Sequence, residues 1–353
     1  HPDWVEFVDA IEGDLARRDF TVNAMAWSPI RGLADPFGGR EDLQNRILRA
    51  VRDPYERFQE DALRILRGAR FSAKYRLKPE PKTLDAMITL ADLMEGLARE
   101  RVFSELCQLI LHAEAEDLIR YAPLITQVIP ELAPAVGFDQ HSSYHRYDLY
   151  THIAHVTAGV PRELPLRWAA LLHDVGKPAT FSMDEAGRGH FYGHAQTGST
   201  LADEILRRLK APNALRLQVT QLIELHMNRL EPQRKPLRRW LGRLGQETFL
   251  QLLQLQESDM GSKGTGSGED GLYFDRLRQM AEELRQENAC LTLSDLTING
   301  HDLLQLGYPA GKALGQCLQT LLNLVMEEQL PNERKALLQK ARKNLKETGG
   351  DPG

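Results

Sequence analysis

Residues 60–71 read EDALRILRGARF, and this stretch decides what fold we expect of the chain. Its spacing predicts a helix with one polar face, because residues three or four apart are neighbours on a helix. That face carries Asp61, Arg64, Arg67 and Arg70. An isolated Asp/Arg pair is usually an exposed ion pair worth about 0.3–0.5 kcal/mol. Three arginines spaced by three repel one another, so their presence on one face favours a nearby anion.

A carboxylate beside a guanidinium can also read a nucleobase. A carboxylate only accepts hydrogen bonds and a guanidinium only donates them, so Asp61 with Arg64 presents an acceptor and a donor on a fixed frame. Cytosine and adenine both carry an amino donor beside a ring-nitrogen acceptor, whereas guanine and uracil carry the reverse. A polar site rejects the wrong pattern because it leaves buried groups unpaired. The pair therefore predicts selection of CTP and ATP, with Arg67 and Arg70 binding phosphate or supporting the pair.

Composition narrows the class of protein. The chain has 353 residues, a formal charge of −5 and 42% hydrophobic residues, which is typical of a globular protein with two or more domains. Its three scattered cysteines predict no disulfide framework and favour a reducing compartment. No bilayer-spanning run or signal peptide is recognisable, so we predict a cytoplasmic protein with no membrane partner. Basic residues outnumber acidic ones between Arg46 and Lys82, which suits phosphate groups.

The pattern along the chain predicts a mainly α-helical, multi-domain, elongated protein with a small α/β part at the N-terminus. Residues 1–50 mix strand-like pieces with glycine turns, and beyond them apolar residues return every three or four positions. Glycine and serine replace this pattern over residues 261–271, which predicts a linker. We predict four segments: an α/β part over 1–50, a helical neck over 51–125, a helical body over 126–272 and a helical tail over 273–353.

Histidine and aspartate residues recur along the helical body in the order H…HD…D. An adjacent His–Asp pair, backed by another histidine and another aspartate, suits a divalent transition metal. Two further histidines stand where a second metal ion would find ligands. A lone histidine is more often a core residue, so His145 and His155, which fall outside this order, are assigned to packing or to the surface. The predicted metal ligands are His152, His173, Asp174, Asp259, His194 and His226.

Four motifs follow one another along the chain. They read RRDFTVNAMA (17–26), DPFGGREDL (35–43), EDALRILRGARF (60–71) and ERVFSEL (100–106). In this order they resemble the class II tRNA nucleotidyltransferases, the bacterial CCA-adding enzymes and their poly(A) polymerase relatives. The histidine–aspartate order is similar to that of the HD phosphohydrolase superfamily. Within the second motif, Pro36, Gly38 and Gly39 suit a simple turn.

The resemblance implies a function for each segment. Residues 1–50 would be the end of a nucleotidyltransferase palm, in which Arg18 contacts the incoming nucleotide and Asp19 lies near the ribose. Asp61 and Arg64 would act as a protein template for C or A, with Arg67 and Arg70 completing the pocket. The implied reaction adds C, C and A to the tRNA 3′ end from CTP and ATP without a nucleic-acid template. The implied partner is tRNA, held in part by residues 273–353.

The chain departs from the family at its beginning. A glycine-rich segment and a paired DxD, which carries two Mg2+ ions for nucleotidyl transfer, are expected before Arg17 and are not found. Asp9 and Glu12 do not replace the pair, because their spacing and context differ. The sequence therefore predicts an N-terminally truncated chain without catalytic residues of its own, defective in nucleotidyl transfer.

Three alternatives stay open. A poly(A) polymerase shares the motifs but does not accept C. An HD-type metal-dependent phosphohydrolase or phosphodiesterase acting on nucleotides would lose turnover on Asp174→Ala and keep it on Asp61→Ala. A tRNA-binding fragment without enzymatic activity would bind RNA and turn over neither kind of substrate.

Overall fold

Helices dominate the structure, as the sequence predicts. A computed structural model describes residues 11–141, 147–263, 268–287 and 289–348, which contain eighteen α-helices and six short strands. The chain divides into two compact units: residues 1–227 with 254–266, and residues 228–253 with 267–353. One change of unit falls inside the predicted linker, and the finer division into four segments stays a prediction. His145 and Asp9 lie outside the described residues.

The N-terminal part contains a hairpin and two short helices. Strands β1 and β2 pair antiparallel, with Trp27 opposite Leu33. The predicted DPFGG turn is closed by Asp35, whose carboxylate accepts hydrogen bonds from the backbone of Gly39 at 2.7 Å and of Arg40 at 2.9 Å. The elements are α1 (Ile11–Ala16), β1 (Ala26–Ser28), β2 (Gly32–Ala34), α2 (Gly39–Gln44) and β3 (Ile47–Leu48).

The neck segment is mostly helical, and its second helix, residues Leu63–Tyr75, has a buried face of Leu63, Ile65 and Leu66. Gly68 brings this helix close to the N-terminal part, because a Cβ there would meet the Phe20 ring at 3.0 Å. β3 pairs in parallel with β4. The elements are α3 (Pro54–Glu60), α4 (Leu63–Tyr75), β4 (Lys78–Pro79), α5 (Pro81–Thr89), α6 (Arg99–His112), α7 (Ala115–Arg120) and α8 (Ala122–Val128).

The opening stretch is not one helix. Asp61 lies between α3 and α4 with an extended backbone (φ −151°, ψ 101°), so the prediction that it shares a helical face with the three arginines is wrong. Its Oδ1 accepts a hydrogen bond from the backbone N–H of Leu63 at 3.1 Å. The first N–H groups of a helix have no partner inside the helix, and a carboxylate just before the helix satisfies one of them.

The body of the first unit packs helices around Trp168, which is fully buried. Gly176 lets the chain after α10 approach the start of α12, since a Cβ there would lie 2.4 Å from the carbonyl oxygen of His194. The elements are α9 (Leu149–Gly159), α10 (Leu164–Leu172), α11 (Lys177–Thr180), β5 (Ser182–Met183), β6 (Gly189–His190), α12 (His194–Arg208), α13 (Asn213–Leu225) and the end of α14 (Arg234–Ser262).

The second unit is built of helices around Leu303, Leu321 and Leu337. Tyr308 ties its last helix to this core by donating a hydrogen bond to the carbonyl oxygen of Ala341 at 2.8 Å. Among the described helices, none has the length and apolar character needed to cross a membrane. Besides the start of α14, which bends at Gly245, the elements are α15 (Gly268–Gln286), α16 (Gly300–Gln305), α17 (Lys312–Met326) and α18 (Arg334–Thr348).

Candidate nucleotide pocket and histidine–aspartate cluster

A cavity of about 410 Å3 brings residues of the N-terminal part together with the start of α4. Five of the six residues predicted to bind nucleotide line it. Asp14, Arg17 and Asn23 complete its wall, and the sequence analysis assigned no role to Asp14 or Asn23. The lining residues are Asp14, Arg17, Arg18, Asp19, Asn23, Asp61, Arg64 and Arg67.

Arg64 is the most firmly held cation of this pocket. Its Nη1 donates to Glu60 Oε2 at 2.9 Å and to the carbonyl oxygen of Arg57 at 3.0 Å, and its Nη2 donates to the carbonyl oxygen of Arg17 at 2.9 Å. These three bonds leave other donors of the five that a guanidinium carries. Arg64 is therefore fixed in direction while still able to donate to a ligand.

Asp19 forms a buried part of the wall. Its Oδ1 accepts a hydrogen bond from Asn23 Nδ2 at 2.7 Å, and its Oδ2 lies 2.7 Å from Arg67 Nε. The residue is only 5% exposed. Since both oxygens are engaged, Asp19 holds Arg67 on α4 against the N-terminal part.

Asp14 contacts two arginines on the open side of the pocket. Its Oδ1 lies 2.8 Å from Arg17 and its Oδ2 lies 3.3 Å from Arg18. Hydrogen bonds from Arg17 and Arg18 hold the pKa of Asp14 below its usual value, so this carboxylate is ionised at neutral pH. All three side chains are close to half exposed.

Asp61 faces the pocket from the turn between α3 and α4. Because Oδ1 is committed to Leu63, Oδ2 is the oxygen that can meet a ligand. Oδ2 lies 3.7 Å from Arg101 on α6, which is longer than an ordinary hydrogen bond. Asp61 thus enters the pocket beside Arg64 although the two are not on one helical face.

Arg70 lies elsewhere. Its Nε is 2.7 Å from Glu105 Oε2 on α6, and its guanidinium carbon lies 4.4 Å from the centre of the Phe71 ring. Burial raises the pKa of the Glu105 carboxyl. Arg70 is not among the residues that line the cavity, and its predicted contact with nucleotide stays a prediction.

The three arginines of α4 have separate carboxylate partners. Arg64 meets Glu60, Arg67 meets Asp19 and Arg70 meets Glu105. The protein itself supplies these anions, so the repulsion between the arginines does not by itself require a bound ligand. The three arginines alone therefore do not indicate an external anion.

All six predicted metal ligands converge in one buried place. They form two groups that share Asp174, and within each group the ligand atoms lie within 4.8 Å of one another. One group contains His152, His173, Asp174 and Asp259, and the other contains Asp174, His194 and His226.

Three of the four histidines of this cluster are oriented by a backbone carbonyl at their other ring nitrogen, and Nδ1 of His152 lies 2.8 Å from Ser262 Oγ. Nδ1 lies 2.8 Å from the carbonyl oxygen of Ala170 in His173, 2.7 Å from that of Phe191 in His194 and 2.6 Å from that of Ile223 in His226. A Nδ1–H that donates to a carbonyl leaves the lone pair on Nε2, as a metal ligand requires. Burial lowers the pKa of His226 to about 4, which keeps it neutral. The donor set therefore fits a divalent transition metal.

Two lysines, which the sequence analysis did not single out, complete the cluster. Lys177 Nζ lies 2.7 Å from Asp174 Oδ2, and Lys263 Nζ lies 2.8 Å from Asp259 Oδ2. Each carboxylate thus has an ammonium group on one side and imidazoles on the other. The lysines offset the two buried negative charges, which is the condition under which buried carboxylates are tolerated.

Three family models match parts of the chain. Family models match residues 1–49 (Poly A polymerase head domain), 76–136 (Probable RNA and SrmB- binding site of polymerase A) and 191–341 (tRNA nucleotidyltransferase domain 2 putative). The chain is 34% identical to an A-adding tRNA nucleotidyltransferase of Deinococcus radiodurans, over 96% of this chain and 81% of that protein. The chain belongs to the tRNA nucleotidyltransferase family.

Other members of the tRNA nucleotidyltransferase family extend the comparison. The CC-adding tRNA nucleotidyltransferase of Thermus thermophilus is 31% identical, over 95% of this chain and 78% of that protein. The chain spans 50–62% of the length of three multifunctional CCA proteins that it also matches. Its fold is similar to the crystal structure of the Bacillus stearothermophilus CCA-adding enzyme in complex with CTP, with a TM-score of 0.68 and 24% identity over 97% of this chain and 76% of that one. The family resemblance read from the four motifs is confirmed.

Proposed function

We propose that this tRNA nucleotidyltransferase acts in the template-independent addition of C, C and A to the 3′ end of tRNA, with CTP and ATP as the nucleotides it selects. The observation that carries the proposal is the meeting of Asp61 and Arg64 at one cavity with Arg18. The names of the relatives divide among A-adding, CC-adding and CCA proteins, so the choice between them rests on this pair.

Each residue has a part in the proposal. Asp61 Oδ2 accepts a hydrogen bond from the exocyclic amino group of cytosine or adenine, and Arg64 donates to the ring nitrogen beside it. Arg17 and Arg18, half exposed on the other wall, receive the phosphates. Asp19 and Arg67 hold the two walls together. A guanine or uracil edge would set donor against Arg64 and acceptor against Asp61, which a polar site rejects.

The same cavity does not fit a pair of metal ions. Each of its three carboxylates already faces a cation: Asp14 meets Arg17 and Arg18, Asp19 meets Arg67, and Asp61 Oδ2 lies 3.7 Å from Arg101. We therefore route no step through a metal here. The use of Mg2+ for nucleotidyl transfer, and the truncation inferred from the motifs, stay predictions.

Competitive binding of ATP, CTP, GTP and UTP to the full chain tests the proposal. We expect ATP and CTP to be preferred, and we expect Asp61→Ala and Arg64→Ala to lose the preference. Lys74→Ala is the matched control, because Lys74 is an exposed cation of the same helix outside the cavity. Equal binding of all four nucleotides would contradict base reading, and a preference for ATP alone would favour an A-adding enzyme or a poly(A) polymerase.

We propose a second, metal-dependent phosphohydrolase activity at the histidine–aspartate cluster. The observation that favours it is that three imidazoles there have Nδ1 held by backbone carbonyls and Nε2 directed at the carboxylates. Here His152, His173, Asp174 and Asp259 would hold one ion, and His194 and His226 would hold a second with Asp174. A bound divalent ion would supply a polarised phosphate oxygen and a water of lowered pKa.

Metal content after incubation with Mn2+, Ni2+ or Zn2+ and gel filtration tests this second site without an activity assay. We expect the wild-type chain to retain metal and Asp174→Asn to lose it. Asp139→Asn, which changes an exposed aspartate of the same unit, should retain metal as the wild type does. Retention by Asp174→Asn, or none by the wild type, would contradict the proposal.

A further inference from the structure

The Asp14 carboxylate contacts Arg17 and Arg18 in the way that a bound anion would. Each oxygen of the carboxylate meets a different guanidinium, at 2.8 Å and 3.3 Å. Two oxygens of one phosphate group would use the same two guanidinium groups in the same way. Because all three side chains line the cavity, the carboxylate lies where the ligand would arrive.

Asp14 differs in exposure from the other engaged carboxylate of the pocket. Asp19 is 5% exposed, accepts a hydrogen bond from Asn23 and forms an ion pair with Arg67, so moving it would leave buried charges unpaired. The Asp14 side chain is 42% exposed, and ion pairs at such exposure are weak enough to exchange with a ligand. Of these two carboxylates, Asp14 is the one that can yield.

The backbone at Arg17 is held by a different contact from the one that holds the Arg17 side chain. The carbonyl oxygen of Arg17 accepts a hydrogen bond from Arg64 Nη2 at 2.9 Å, while the Arg17 side chain meets Asp14. Displacing the Asp14 carboxylate therefore does not require the chain at Arg17 to leave α4. Arg17 and Arg18 can pass from an internal anion to a ligand with their backbone in place.

We infer that Asp14 is an internal competitor for the phosphate-binding position of the nucleotide pocket, and that it sets how tightly the triphosphate is held. The inference rests on the proposed function of the same cavity. The ion pairs of Asp14 among the described residues are with Arg17 and Arg18, not with Arg64. Asp14 therefore weakens binding of the polyphosphate part of every nucleotide equally. It therefore tunes affinity without changing which base is selected.

The test measures binding of inorganic tripolyphosphate and of ATP and GTP to the full chain and to Asp14→Asn. We expect tripolyphosphate and both nucleotides to bind about three- to tenfold more tightly to the variant, as removal of two half-exposed ion pairs implies. The ratio of ATP to GTP affinity should not change. Asp14→Ala, which favours the helix, repeats the test if the Asn variant folds poorly.

Glu12→Gln is the matched control, because Glu12 is an exposed acid of the same short helix whose removal changes the net charge equally. It should alter tripolyphosphate affinity by less than about twofold, since exposed charges at a distance are screened. Equal tightening in both variants would show a general charge effect and overturn the inference. Unchanged or weaker binding to Asp14→Asn would overturn it as well, whereas failure of base selection with tightening intact would overturn only the proposed function.

Discussion

The nucleotide cavity and the histidine–aspartate cluster belong to the same compact unit and are built in different ways. The cavity is lined mainly by arginines and aspartates, most of them partly exposed, and several pair with residues a few positions away on α1, α3 and α4. The cluster is buried, and its residues lie on α9, α12 and α14 or directly after α10 and α13. We therefore expect substitutions in the cavity to change mainly binding, and substitutions in the cluster to change mainly stability.

The largest expected effect is that of Asp174→Asn on stability. Asp174 is 1% exposed and faces Lys177 and several imidazoles, so the variant leaves an ammonium group buried without its counter-charge. Breaking a buried pair by removing one partner costs about 3–5 kcal/mol in the free energy of unfolding. Urea unfolding of the metal-free protein measures this cost, and a loss below about 1 kcal/mol would contradict the account.

Arg67→Ala should have an intermediate effect, and it should change both stability and nucleotide binding. It removes the partner of the buried Asp19 Oδ2, and an unsatisfied buried group costs about 1–3 kcal/mol. Arg67→Lys restores a cation and should recover part of the loss. Wild-type stability in Arg67→Ala would mean that Asp19 does not depend on this contact.

Asp61→Asn should hardly change stability and should remove base preference. The amide oxygen can still cap the N–H of Leu63, and surface substitutions of this kind stay within about 0.5 kcal/mol. Thermal unfolding beside nucleotide competition separates the two effects. A clear loss of stability with base preference intact would contradict the expectation that substitutions in the cavity change mainly binding.

The smallest effect concerns the pH dependence of Glu105. Burial raises its folded-state pKa above the unfolded value, so the folded chain binds the proton more strongly. The stability that this proton contributes is present below the unfolded pKa and is lost as pH rises through the folded pKa. Glu105→Gln should remove this part of the pH dependence of the unfolding free energy. An unaltered profile at pH values above the ordinary glutamate pKa would contradict the assignment.

The local sequence pattern predicted the helices well, whereas contacts between residues far apart in the chain were not predicted. Periodicity predicted the helical class. Of the residues predicted from the motifs to bind nucleotide, five lie at one cavity, and the six predicted metal ligands lie in one cluster. The helical spacing misplaced Asp61, because a carboxylate between two helices caps the second rather than joining its face. It also missed the partners of Arg67 and Arg70, since Asp19 and Glu105 lie far along the chain and no local spacing announces them.

Asp14 and Lys177 were not singled out from the sequence, because their spacing is also that of ordinary surface residues. Asp14 sits four residues before Arg18, a spacing that also describes an ordinary surface ion pair. Lys177 follows Asp174 by one turn, yet only burial distinguishes it from a solvated lysine. Sequence gives the spacing of such groups, whereas the environment that makes them important comes from packing.

The dissociation constants of CTP and UTP test most directly the proposal that Asp61 and Arg64 read the base. These pyrimidines differ at the edge that the pair would meet. We predict that the wild-type chain binds CTP about tenfold or more tightly than UTP, because a hydrogen bond to a charged group is worth about 1.5–3 kcal/mol, and that the ratio falls to about one in Asp61→Ala. Equal binding of CTP and UTP to the wild type, or a preference that survives in Asp61→Ala, would contradict it.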